Sequence, residues 1–91
     1  MEQETLTLRV GSRTPVAELA SAISHGVYDS RAVVLRAIGH GAIGQAVKAV
    51  ARSRGQCAER GIDIALVPGF MDVKMDDGVV TGIQLRIITL S

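Results

Sequence analysis

Aromatic residues are almost missing from this chain: Tyr28 and Phe70 are the only two in 91 positions, and there is no tryptophan. Sequence-specific reading of unpaired bases relies on aromatic stacking, so that mode has little to work with here. Cysteine is reduced to Cys57, which rules out an intramolecular disulfide and makes a reducing interior the expected compartment. His25, His40 and Cys57 show no ligand-like spacing, so neither a metal site nor a cofactor is expected. Charge of one sign is lacking too. Ten Lys and Arg against nine Asp and Glu leave a net charge of +1, so any nucleic-acid site must come from where the charges sit. No apolar run approaches the ~20 residues needed to span a bilayer, and the opening MEQET is acidic, unlike a secretory signal. A soluble, cytoplasmic protein without a membrane partner is the expectation.

What the chain does have is aliphatic bulk. Hydrophobic residues make up 47% of it, so the core must be built from Val, Ile, Leu and Ala. One domain over residues 1–91 fits the length. A chain this size buries only about 60% of its unfolded surface. So much aliphatic content without a disulfide or metal points to burial against another copy, a homodimer or higher homo-oligomer.

Leu6, Leu8 and Val10 alternate with Thr5, Thr7 and Arg9, the period of a half-buried strand. Gly11-Ser12-Arg13 reads as a loop, with Thr14 capping a helix that has Pro15 in its first position. Val16, Leu19, Ala20, Ile23 and Val27 follow helical spacing, ending at Gly26 or at Tyr28 to Ser30. Arg31 to Ile38 is a second strand, apolar enough to be covered on both faces. A second helix is expected over about Ala42 to Ser53, with Ile43, Ala46, Val47 and Val50 inward and Gly55 as its left-handed cap. A third strand, Ile62 to Val67, is interrupted by Pro68-Gly69 and resumes over Phe70 to Met75. Asp76-Asp77-Gly78 signals a hairpin turn into a last strand, Val79 to Leu90. The order β-α-β-α-β-β predicts an α+β two-layer sandwich. Its four-stranded mixed sheet carries both helices on one face, and its first two strands are parallel through a right-handed crossover.

The chemistry concentrates at the second strand-to-helix turn. Gly39, Gly41 and Gly44 spell G-x-G-x-x-G in the context of a dinucleotide fingerprint. That fold needs more parallel strands than the residues after Gly44 supply, and no acidic residue ends the next strand. The turn still exposes the unpaired amides of a helix's first turn, an arrangement that holds anions. Both strand-to-helix loops should open at one sheet edge, so Arg13 can meet Gly39, His40 and Gly41, with Lys48 and Arg52 side by side on the helix beyond. Taken functionally, these six form a phosphate-contacting surface; solvated helix faces are the plainer alternative. No nucleophile accompanies His40, so an enzyme is not expected.

The run AIGHGAIGQAVKAVARSRG, with SRTPVAELASAI before it and IDIALVPGFMDVKMDDG after it, closely resembles the stage V sporulation protein S family from about Thr5 to Ile88. That family is similar in turn to Alba, a small archaeal chromatin protein. The resemblance implies an Alba-like fold and a homodimer or higher oligomer. It implies that nucleic acid, DNA or RNA, is bound through the two strand-to-helix loops and the helix surface. It also implies a role in developmental gene regulation, including sporulation. Two departures matter. Gly39-His40-Gly41 replaces an arginine-bearing loop, and the hairpin ends in Asp76-Asp77, which phosphate repels. The expected function is weakly sequence-specific, phosphate-directed binding. The alternatives are a protein-interaction module and a sensor of small anions at the Gly39–Gly44 turn.

Overall fold

A computed structural model describes residues 4–90. The strands are β1 (Thr5–Val10), β2 (Ala32–Ala37), β3 (Asp63–Met75) and β4 (Gly78–Leu90), and the helices are α1 (Val16–Tyr28) and α2 (His40–Ala58). The element order is the expected one. In space the sheet runs β1-β2-β4-β3, with β1 and β2 parallel and both pairs involving β4 antiparallel. Alternation sets which side is covered. Val33, Leu35 and Ala37 of β2 and Leu85 and Ile87 of β4 point to the helices and join Leu19, Ala20, Ile23, Ala46 and Ala49 in one core. Alanines at the contact positions of α2 let it lie close to its neighbours.

Four local expectations are corrected. Thr14 does not cap α1: its hydroxyl accepts the Gly11 N–H at 2.8 Å, and no side chain caps the helix start. Helix α2 runs past Gly55 to Ala58, because the buried positions Ala42, Ala46, Ala49, Val50, Ser53 and Cys57 continue the helical period. Gly61, at φ 73°, provides the left-handed stop instead, as the Ile62 N–H bonds back to the Cys57 carbonyl at 3.0 Å. Val47 faces outward, 47% exposed, because the stripe centres on the alanines. Finally, β3 is continuous through Pro68, which pairs with Leu85. As an edge strand, β3 has one side without a ladder, so a missing N–H there costs no bond.

Strand β2 departs from expectation in another way. Among the described residues nothing covers its second face, where Ala32, Val34 and Arg36 are only half-buried. Its pairing with β4 ends at Ala37–Ile83, whereas β3 and β4 stay paired to Met75–Gly78. The end of the hairpin is thus a two-stranded ribbon beyond the body.

Between the helices lies a buried polar seam. Ser24 Oγ donates to Gln56 Oε1 at 2.6 Å and lies 2.7 Å from Ser53 Oγ. A hydroxyl has one proton, so Ser53 is the donor in that second bond. Both serines are buried, at 3% and 0% exposure, and the bonds offset their desolvation.

Candidate nucleic-acid interface

Parallel pairing of β1 and β2 sends both following loops to the same sheet edge. The first is closed on itself: the Thr14 N–H bonds the Gly11 carbonyl at 3.2 Å, alongside the reverse bond from the Gly11 N–H to the threonine hydroxyl. Arg13 is exposed at its tip. In the second, Gly39 adopts φ 88° and ψ 160°, a conformation that an L side chain strains, and α2 begins at His40. The Gly39 carbonyl accepts the Ile43 N–H at 3.1 Å, the first helical bond. The amides of His40, Gly41 and Ala42 precede that bond and have no acceptor within the helix.

The two loops touch. A Cβ on Gly41 would lie 2.8 Å from the Ser12 Cβ, closer than side chains tolerate. Gln45 ties the same junction, donating from Nε2 to the Thr14 carbonyl at 2.8 Å. The structure therefore brings Arg13, Gly39, His40 and Gly41 to one corner. Gly41→Ala should wedge the loops apart. Overpacking costs about 1–3 kcal/mol, partly offset by the ~1 kcal/mol gained in helix propensity. Gly44→Ala, where nothing lies within 4 Å, should be neutral or stabilising, so chemical denaturation of the two variants checks the contact.

Lys48 and Arg52 are exposed on the outer side of α2. At 1.5 Å per residue they lie about 12 and 18 Å from the helix start. They extend the corner into a track rather than completing a pocket. Arg13, Lys48 and Arg52 take part in no ion pair among the described residues. Arg54, another cation of this helix, is engaged: its Nε donates to Asp63 Oδ1 at 2.9 Å. That hydrogen bond holds the Asp63 carboxyl below its ordinary range. Arg54 is accordingly less available to an outside anion than the other three. Two further cations, Arg9 and Arg36, stand on the uncovered face at the same end of the sheet, and Lys74 of the hairpin borders the cleft beside them. Arg9 lies on the polar side of the β1 alternation, whereas no alternation marks Arg36 in apolar β2, and the significance of both depends on that face being open.

A family model described as stage V sporulation protein S matches residues 6–90. The chain belongs to that family. Among solved structures, Alba from Thermoplasma volcanium is similar at 14% identity and a TM-score of 0.60, covering 94% of this chain and 100% of that one. At that identity the likeness is one of fold, and it bears out the Alba-like arrangement of two helices on a four-stranded mixed sheet. This stage V sporulation protein S domain thus sets its paired crossover loops at one end of an Alba-like sheet. No helix among the described residues is long and apolar enough to cross a membrane.

Proposed function

We propose that this chain is a non-enzymatic, cytoplasmic nucleic-acid-binding protein that acts as a homodimer or higher homo-oligomer in developmental or sporulation gene regulation. Arg13 and the amides of the Gly39-His40-Gly41 turn take phosphate oxygens, and Lys48 and Arg52 add charge along the track. Binding is directed at the backbone and weakly selective for sequence. The observation that carries this reading is the Ser12–Gly41 contact, which presents two loops as one surface. Family membership supports the developmental role, and the Alba neighbour supports the nucleic-acid partner. Exposed Phe70, Met75 and Val79 on the hairpin, at 84%, 53% and 62%, favour assembly with another protein surface, most simply a second copy.

The test is a titration of duplex DNA, single-stranded DNA and RNA at low salt with the native chain and the triple variant Arg13→Ala, Lys48→Ala, Arg52→Ala. We expect affinity to fall tenfold or more in the variant, on every sequence tried, because phosphate contacts carry it. Unchanged affinity defeats this surface. Absence of binding by the native chain leaves the protein-interaction reading in its place.

A further inference from the structure

The uncovered sheet face holds a second concentration of cations. Strand register sets Arg9 of β1 directly beside Arg36 of β2, and alternation puts both on the face away from the helices. Like charges opposite one another destabilise a sheet. No ion pair among the described residues relieves them: the carboxylates so engaged are Glu4, with Arg31, and Asp63, with Arg54. Lys74 approaches from the hairpin, and the three cations border a cleft of about 340 Å³. Its remaining wall is apolar, formed chiefly by Ile38, Met71 and Val73.

The cleft is constructed by specific contacts. Arg36 Nε lies 3.2 Å from Met71 Sδ, which braces the guanidinium against the methionine. Met71 pairs with Gly82 across the hairpin, and a Cβ at Gly82 would meet Met71 Cε at 2.8 Å and Ile38 Cγ1 at 3.0 Å. A side chain at position 82 would therefore displace Met71 and Ile38, two of the residues that form the cleft's apolar wall.

Several occupants are disfavoured. A second copy presenting this face would set arginine against arginine. Unpaired bases would find no aromatic among the lining residues. The volume lies at the small end of ligand sites, about 300–1,000 Å³. Two guanidinium forks, with Lys74 at the rim, complement a doubly charged anion, and the aliphatic wall complements an apolar body. We infer that this cleft binds a small phosphomonoester carried on an apolar skeleton. The site is separate from the Arg13–Gly41 corner and does not depend on nucleic-acid binding.

Calorimetry with hexyl phosphate, inorganic phosphate, glucose 6-phosphate and hexanoate tests it. Hexyl phosphate should bind at least about tenfold more tightly than the other three, since buried methylenes and the second charge both contribute. Arg9→Gln with Arg36→Gln should weaken it tenfold or more. Lys74→Gln, on the protruding hairpin and remote from the core, should weaken it severalfold and stands in if the double variant fails to fold. Arg13→Ala with Lys48→Ala should leave it unchanged. Binding of hexyl phosphate no tighter than inorganic phosphate, equal binding of hexanoate, or indifference to these cleft substitutions would each overturn the assignment. Loss of duplex affinity in the arginine variant without any hexyl phosphate binding would also overturn it, and would make the cleft part of the nucleic-acid surface.

Discussion

Raising salt from 50 to 200 mM should lower the affinity for duplex DNA about a thousandfold. Each chain offers Arg13, Lys48 and Arg52 outside any ion pair among the described residues, so the homodimer proposed above would neutralise about six phosphates. Counterion release then gives a log–log slope of about −0.9 per phosphate, or roughly −5 for the dimer. The amides at Gly39 to Gly41 add contacts but release no counterions, so they strengthen binding without steepening the slope. The chain's net charge of +1 supplies little attraction at a distance, which leaves affinity dependent on these local contacts. Fluorescence polarisation across the salt range measures the slope directly. A value of about −1 to −2 would mean that the helix track does not reach phosphate, even if the loop corner does.

The second large effect is on stability. Leu35 lies in β2, between β1 and β4, and is fully buried at 0% exposure. Its register neighbours Leu8 and Leu85 are held by ladder hydrogen bonds on either side, so the sheet has little freedom to close a vacated space. Leu35→Ala should therefore cost about 2–5 kcal/mol, against a total stability of roughly 5–15 kcal/mol for a domain. The corresponding fall in Tm is roughly 10–30 °C. Thr7→Ala, exposed on the opposite face of β1, should change stability by no more than about 0.5 kcal/mol. Thermal and urea unfolding of both variants checks the contrast. A small effect at Leu35 would mean that the core repacks more freely than its aliphatic composition suggests.

Much of this fold could be read from period alone. The alternation of Leu6, Leu8 and Val10, the helical spacing of Leu19, Ala20 and Ile23, and the Asp76-Asp77-Gly78 turn each report a local geometry that the structure keeps. Where the reading failed, the deciding fact was tertiary. Pro68 normally argues against a strand, but β3 lies at the sheet edge and tolerates it. Gly55 resembles a helix stop, yet Ser53 and Cys57 are buried on either side of it and carry the helix onward. Arg31 to Ile38 is apolar enough to suggest cover on two faces, but strand neighbours alone leave Val34 and Arg36 half-buried. The candidate site divides the same way. The meeting of the Ser12–Arg13 loop with Gly41 follows from the parallel-crossover rule. The engagement of Arg54 by Asp63, and the gathering of Arg9, Arg36 and Lys74 around one cleft, need a register and a hairpin position that no local pattern contains.

The Ser24–Ser53–Gln56 seam has a consequence for the outer side of α2. Hydrocarbon packing is non-directional and would let a cylinder of alanines roll about its axis, whereas directional bonds lock its azimuth. Ser53 immediately follows Arg52, so the angle at which both track cations leave the helix is keyed by hydroxyls on its hidden side.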